Sequence, residues 1–195
     1  MNRWDALSAI VAAFPTEPYV VTLGGTTREI ALQRRGQNHL YVLDSMGLPP
    51  AIGLGLALGL AGVLPDRIVV LEGDGSLLMG FSSLATIGLT SPANLLLIVL
   101  DNGTYAATGN QPTAASAVDF VVVAAGCGIE GRDVATIDDL CGALAWARGV
   151  AGPILLRVRI DTTARQAPFL LEDPVLPGAD FARYLEARHV ATHPA

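Results

Sequence analysis

Two apolar runs that both end in polar residues place the strongest constraint on the fold of this chain. Residues 67–71 and 94–100 are rich in Val, Ile and Leu, and each has the length of a buried strand. The sequence EGDGS follows the first run at 72–76, and Asp101 and Asn102 end the second. Because neighbouring parallel strands bring their carboxyl ends to one edge of a sheet, we expect Asp74 and Asn102 to lie side by side.

These two side chains offer oxygen ligands of the kind that Mg²⁺ prefers. One carboxylate and one amide oxygen leave the coordination shell incomplete, so water and the phosphate oxygens of a ligand would fill the rest. Gly75 and Ser76 then open a helix, whose free backbone N–H groups favour an anion. The sequence therefore predicts a site for Mg²⁺ and a phosphorylated ligand.

Strand-like and helix-like segments alternate along the chain. Strands are predicted at 19–23, 40–43, 67–71, 94–100 and 153–160, and helices at 4–14, 51–64, 81–87, 119–125, 136–148 and 180–188. This alternation predicts an α/β fold, a doubly wound and mainly parallel sheet of about six strands with helices on both faces. We expect one domain over residues 1–160 and a tail over 161–195 that packs on this domain or on a partner.

Composition narrows the classes of partner. Of all residues 51% are hydrophobic and 15% are charged, which predicts that part of the surface is hidden in an oligomer. The net charge of -6 argues against nucleic acid or an acidic membrane. Cys127 and Cys141 are too few for a disulfide framework or a metal cluster, and we expect two buried thiols. No targeting segment is evident and residues 51–64 suit a core helix, so we expect a cytoplasmic protein.

Two glycine-containing stretches are candidates for contact with a ligand. The turn at residues 24–27 follows a strand, so it is a possible phosphate contact, and Thr26 or Thr27 would cap the next helix. A second set of glycines resembles a dinucleotide-binding motif. However, its spacing is GxGxxxG and it lies inside an apolar helix, so close packing of this helix against the sheet is the better interpretation. This second set consists of Gly53, Gly55 and Gly59.

Several of these motifs together carry a resemblance to a known family. The sequence GDGS at 73–76 with DN at 101–102 resembles the diphosphate-binding signature of thiamine diphosphate (ThDP) enzymes. The stretches DSMG at 44–47, SLLM at 76–79 and TYAATGNQPT at 104–113 are similar to those of phosphonopyruvate and sulfopyruvate decarboxylases. The resemblance covers residues 4 to 160 and implies non-oxidative, ThDP- and Mg²⁺-dependent decarboxylation of 3-sulfopyruvate or 3-phosphonopyruvate to an aldehyde.

The resemblance also implies roles for individual residues. Asp74, Asn102 and the backbone oxygen of Thr104 would ligate Mg²⁺, and Met46 would support the bent cofactor. Thr108 and Gln111 lie in a loop at the mouth of the site and are candidates for a catalytic role. The full set of expected cofactor contacts is Gly25, Thr26, Asp44, Ser45, Met46, Gly73, Asp74, Gly75, Ser76, Asn102, Thr104 and Tyr105. Within this set, Asp44 stands where the family usually has glycine.

ThDP enzymes of this kind also need a pyrimidine-binding domain, whose glutamate activates the cofactor. This chain is too short to contain that domain, so we expect the β-type subunit of a hetero-oligomer with a separate α-type subunit. Arg28 is a candidate to bind the extra anionic group of a 2-oxo acid substrate. Two alternatives stay open: a subunit of an acetolactate-type carboligase, and a non-catalytic regulatory domain that binds ThDP or a nucleotide. The intact set of metal ligands argues against the second.

Overall fold

A computed structural model describes residues 1–64, 67–170 and 173–192. The strands are β1 Tyr19–Val21, β2 His39–Tyr41, β3 Ile68–Gly73, β4 Leu95–Asp101, β5 Thr104–Tyr105, β6 Gln111–Pro112, β7 Glu130–Val134 and β8 Ile154–Arg159. Six of them form one parallel sheet in the order β2-β1-β3-β4-β8-β7, and β5 and β6 form a separate antiparallel pair. The predicted doubly wound α/β fold is confirmed.

Helices cover both faces of this sheet. They are α1 Arg3–Ala13, α2 Gly25–Gln33, α3 Pro49–Gly59, α4 Asp74–Met79, α5 Ser83–Thr90, α6 Phe120–Gly126, α7 Ile137–Gly149 and α8 Val175–Thr192. One apolar cluster joins α1, α2 and α7 to the sheet, and a second joins α3, α4, α5 and α6 to it. Because β3 and β4 are apolar on both sides, they lie in the middle of these two clusters.

Some elements differ from their predictions because of contacts between distant parts of the chain. The helix predicted at 81–87 is α5, shifted to Ser83–Thr90, and it is separated from α4 at Gly80, where an added Cβ would lie 2.0 Å from the Gly47 oxygen. The N-cap of α2 is Gly24 rather than a threonine, and the Thr27 hydroxyl donates instead to the Thr22 carbonyl oxygen at 2.6 Å. The prediction of two buried thiols is wrong, because Cys141 is exposed and Cys127 is only half-buried.

The C-terminal segment contacts the preceding domain at several points. The Arg165 guanidinium carbon lies 4.2 Å from the centre of the Trp4 ring, and the Tyr184 hydroxyl donates to the Thr16 carbonyl oxygen. The last helix, α8, packs near β2 and is longer than the predicted segment at 180–188. Among the described residues, no helix combines the length and the apolar character needed to cross a membrane. The division into 1–160 and 161–195 stays a prediction.

Gly53 and Gly55 of α3 offer a matched test of how this helix packs. A Cβ added to Gly53 would lie 2.2 Å from the Val70 side chain, whereas nothing lies within 4 Å of one added to Gly55. We expect Gly53→Ala to lower the free energy of unfolding by roughly 1–3 kcal/mol, because Val70 is fully buried and cannot move aside. Gly55→Ala should raise it by up to about 1 kcal/mol through helix propensity. Urea denaturation measures both, and equal effects would contradict this packing.

The buried side chain of His39 should make the stability of the fold sensitive to acid. It is buried at 2% exposure between Tyr19 and Tyr41, and burial, with a smaller effect of Arg34, lowers its pKa from 6.5 to about 4. Because the folded pKa lies below the unfolded one, this contribution to stability is present above pH 6.5 and is lost as the pH falls towards 4. The loss should amount to about 3 kcal/mol.

Denaturant unfolding at several pH values between 7 and 4 measures this loss. The variant His39→Phe, which cannot take up a proton, should show a flatter pH profile than the wild type. The exposed His189 supplies the control variant, His189→Asn, which should keep the wild-type profile. An unchanged pH profile in His39→Phe would contradict the assignment.

Candidate active site

A cleft opens where β1, β3 and β4 reach their carboxyl ends. Most of the residues that line it come from the turn before α2, the start of α4 and the segment after β4, and α1 and the turn after β2 add one residue each. Eleven of the residues predicted from the sequence line this cleft: Gly25, Thr26, Met46, Gly73, Asp74, Gly75, Ser76, Asn102, Thr104, Tyr105 and Thr108. The structure therefore brings most of the predicted cofactor contacts and all three predicted metal ligands to one place.

The pairing of β3 with β4 places Asp74 next to Asn102. Gly73 is opposite Leu100 in the sheet, so both side chains leave the ends of adjacent strands. Asp74 is 2% exposed, and its Oδ2 accepts a 2.5 Å hydrogen bond from the Thr113 hydroxyl. Burial raises the pKa of the Asp74 carboxyl, and the nearby Asp101 raises it further. Hydrogen bonds from Thr113 and from the Asn102 backbone lower this pKa and favour the charged form.

The oxygen atoms around Asp74 fit a hard cation. Asn102 Oδ1 accepts from the Thr104 backbone N–H at 3.0 Å and retains a second lone pair. The Thr104 Oγ1 is buried without a hydrogen-bond partner among the described residues. No group of three or more His, Cys, Asp or Glu side chains in the described ranges could hold a metal. A cation here would therefore rest on one carboxylate plus amide and carbonyl oxygens, a set that leaves positions for phosphate oxygens.

The Ser76 hydroxyl connects three parts of the cleft wall. Its oxygen accepts from the Gly47 backbone N–H at 2.9 Å and lies 3.4 Å from the Thr22 hydroxyl. Burial raises the pKa of Glu72, and hydrogen bonds from Ser76 and Thr22 oppose that rise. The expected contact between the Ser76 hydroxyl and a diphosphate therefore competes with bonds that this hydroxyl already makes inside the protein.

Tyr105 packs directly against the start of α4. A Cβ added to Gly75 would lie 2.3 Å from Tyr105 Cε1 and 2.9 Å from Thr113 Cγ2. Only glycine allows this approach, so Gly75 fixes the Tyr105 ring at the cleft wall. Gly25 also allows a close approach, because a Cβ added to it would lie 2.6 Å from the Arg3 guanidinium carbon.

Four predicted site residues do not line the cleft. Asp44 is exposed, and neither it nor Ser45 is among the residues that line the cleft. Gln111 accepts a 2.8 Å hydrogen bond from the Thr108 hydroxyl but lies outside the lining itself. The Arg28 guanidinium carbon lies 4.6 Å from the centre of the Phe169 ring, in a separate depression formed with the C-terminal segment.

Sequence reasoning assigned no role to two residues of this region. Thr113 belongs to the stretch TYAATGNQPT, so the motif itself could have directed attention to its hydroxyl. Arg3 lies in α1 and lines the cleft, although nothing in the local sequence distinguishes it from a surface arginine. Both reach the site through contacts between distant parts of the chain.

Comparison with known proteins identifies the class. Residues 24–158 match the thiamine pyrophosphate enzyme family in its C-terminal TPP binding domain, TPP being another name for ThDP. Benzoylformate decarboxylase from Polynucleobacter necessarius has a similar fold, with a TM-score of 0.73 over 85% of this chain and 34% of that one at 19% identity. The chain belongs to the thiamine pyrophosphate enzyme family.

Two relatives are similar at the level of sequence. Phosphonopyruvate decarboxylase from Streptomyces viridochromogenes is 40% identical over 196 residues, which cover 100% of this chain and 47% of that protein. Sulfopyruvate decarboxylase subunit beta from Methanothermobacter thermautotrophicus is 36% identical over 87% of this chain and 88% of its own length. The chain thus spans less than half of the phosphonopyruvate decarboxylases that it matches, but most of the beta subunit.

Thr113 provides the first test of the metal site. Thr113→Val removes the donor to Asp74, so the pKa of this carboxyl should rise and Mg²⁺ should meet more competition from protons. We expect Mg²⁺ affinity in the presence of ThDP to fall about tenfold, and its pH dependence to move to higher pH. Calorimetric titration with Mg²⁺ at several pH values measures both effects. The matched variant Thr113→Ser keeps the hydroxyl and should bind like the wild type, and equal behaviour of the two variants would contradict the role.

Proposed function

We propose that this chain carries the diphosphate-binding half of a ThDP- and Mg²⁺-dependent decarboxylase. Its substrate would be a 2-oxo acid with a second anionic group, of the 3-sulfopyruvate or 3-phosphonopyruvate type, and its product an aldehyde. The observation that carries the proposal is the juxtaposition of Asp74 and Asn102 at the ends of β3 and β4, in a cleft that Gly25, Ser76 and Tyr105 also line. The names of the relatives support this substrate class.

In this proposal the residues of the chain bind the metal ion and the cofactor and orient them. Asp74, Asn102 and the Thr104 backbone oxygen would hold Mg²⁺, whose charge would balance that of the phosphate oxygens of the cofactor. Met46 and Tyr105 line the same cleft and would pack against the cofactor. ThDP supplies the electron sink that accepts the electron pair released when CO₂ leaves a 2-oxo acid. Thr108, hydrogen-bonded to Gln111, lies at the mouth, where it meets an entering substrate.

The pyrimidine half of the site would come from a separate α-type subunit. Support comes from the relatives named as beta subunits, since the matched regions cover 80–88% of two of them. The low content of charged residues, 15%, is consistent with surface buried between subunits. The glutamate that activates the cofactor would lie on this partner, and the assembly would be a cytoplasmic hetero-oligomer.

Asp74→Asn tests the proposal in the complex with that partner. The substitution keeps the shape of the side chain and removes its charge, so Mg²⁺-dependent ThDP binding should weaken. Release of aldehyde from sulfopyruvate or phosphonopyruvate should fall about a hundredfold or more. Asp138→Asn, at an exposed position of α7, is the matched control and should keep full activity. Wild-type rates in the Asp74→Asn complex would reject the metal assignment.

The products formed separate the remaining alternatives. A subunit of an acetolactate-type carboligase would release a carbon–carbon coupled product when an acceptor carbonyl compound is added. A regulatory domain would bind ThDP or a nucleotide and turn over none of the three acids sulfopyruvate, phosphonopyruvate and pyruvate, with or without the partner. Either result would replace the proposed function.

A further inference from the structure

Arg3 places a buried positive charge at the cleft wall. The residue is 7% exposed, yet it is among the residues that line the cleft. A Cβ on Gly25 would lie 2.6 Å from the Arg3 Cζ and from both terminal nitrogens, so the flat face of the guanidinium packs on the Gly25 backbone. This contact brings the guanidinium directly behind the turn that opens α2.

The charge balance of the cleft makes this cation notable. Among the described residues that line the cleft, Arg3 and Asp74 carry charge, and the others are neutral. Asp74 belongs to the predicted metal site, so Arg3 is the cation that the described chain offers to an anionic ligand. Arg28, the residue that the sequence analysis predicted for this task, packs on Phe169 elsewhere.

Glu29 holds the Arg3 guanidinium without using all of its donors. Glu29 Oε1 lies 3.2 Å from Arg3 Nε and 3.0 Å from its second terminal nitrogen, and it also accepts from the Arg165 backbone N–H at 3.4 Å. The other carboxylate oxygen, Oε2, is buried without a hydrogen-bond partner among the described residues. An arginine has five N–H donors. A bond to one oxygen therefore orients the guanidinium and leaves donors for a ligand.

A purely structural pair is a weaker explanation of this arrangement. Burying two charges costs several kcal/mol each, and well-packed apolar side chains join helices at least as well. A side chain at position 25 would also displace the guanidinium, because its Cβ would lie 2.6 Å from Arg3 Cζ. These costs are understandable if the charge is needed in the cleft. Arg3 and the helix that bears it precede the matched family region, 24–158, whereas Gly25 and Glu29 lie inside it.

We propose that Arg3, oriented by Glu29, is an anion-binding residue of the cleft for a phosphate-, phosphonate- or sulfonate-type group. This inference rests on the proposed function, because two ligands there carry such a group. One is the diphosphate of the cofactor, for which Gly25 and Thr26 beside Arg3 are predicted contacts. The other is the acidic end of the substrate.

Opposite effects of Arg3→Gln and Glu29→Gln distinguish anion binding from a structural role. Arg3→Gln removes the cation, so affinity for the anion should fall about tenfold to a hundredfold. Glu29→Gln removes the competing negative charge and keeps a hydrogen-bond acceptor for Arg3, so affinity should rise about threefold or more. A structural pair would weaken binding in both variants, since each would loosen the same contact between α1 and α2.

The experiment measures ThDP binding by calorimetry in the presence of Mg²⁺, with the chain in complex with its partner. The KM for sulfopyruvate and for pyruvate is then measured at saturating ThDP. Opposite shifts in ThDP affinity assign Arg3 to the diphosphate. A different result assigns Arg3 to the substrate. In that case ThDP affinity is unchanged, the two variants shift the KM for sulfopyruvate in opposite directions, and the KM for pyruvate stays the same. Shifts in the same direction, or no shift in either quantity, overturn the inference.

Three controls keep the result interpretable. The double variant Arg3→Gln/Glu29→Gln retains a neutral hydrogen-bonding pair, so it should fold and still bind the anion weakly. Arg3→Lys keeps the charge and should retain more affinity than Arg3→Gln. Arg148→Gln disrupts an arginine–glutamate pair away from the cleft and should bind ThDP like the wild type. If the wild-type complex itself bound no ThDP, the proposed function would fail rather than this inference alone.

Discussion

The pairing of β3 with β4 is the constraint on which the site depends. Both strands are buried along almost their whole length, and their register sets Gly73 opposite Leu100. Because both strands are apolar on both faces, the in-and-out pattern does not set this register, and the close packing of different side chains in the two apolar clusters holds it instead. The same register delivers Asp74 and Asn102 to adjacent positions, which means that the core of the fold also determines the spacing of the metal ligands.

The acidic residues at this edge of the sheet differ in how their charge is compensated. Asp101 accepts from Arg157 Nε at 2.7 Å, and a second nitrogen of this arginine lies 2.6 Å from the same oxygen. Asp74 has hydroxyl and backbone donors, but no ion pair among the described residues includes it. Burial disfavours a carboxylate without an opposite charge, and under the proposed function Mg²⁺ would supply that charge. The charge of Asp74 and the oxygen atoms around it thus both support the proposed Mg²⁺ site.

The sequence predicted the elements that are specified locally and missed those that depend on distant contacts. Apolar runs defined five of the six strands, whereas the edge strand β7, with the sequence EGRDV, has a mostly exposed and polar pattern that gives no strand signal. The motifs predict that Asp74 and Asn102 lie side by side, because each residue follows its own apolar run. Thr113 reaches Asp74 across 39 residues and Arg3 reaches Glu29 across 26, and no periodicity in the sequence records such contacts.

The environment of Gly25 changes the explanation for a glycine at this position of the turn before α2. A glycine after a strand is commonly explained by the close approach of a phosphate to the backbone. Here the guanidinium of Arg3 occupies the space that a side chain at Gly25 would need. The turn is therefore shaped by contacts within the protein before any ligand binds, and an anion in the cleft would meet Arg3 beside the Gly25 backbone. Since α1 provides that cation, the first helix is part of the wall of the site rather than an appendage to the domain.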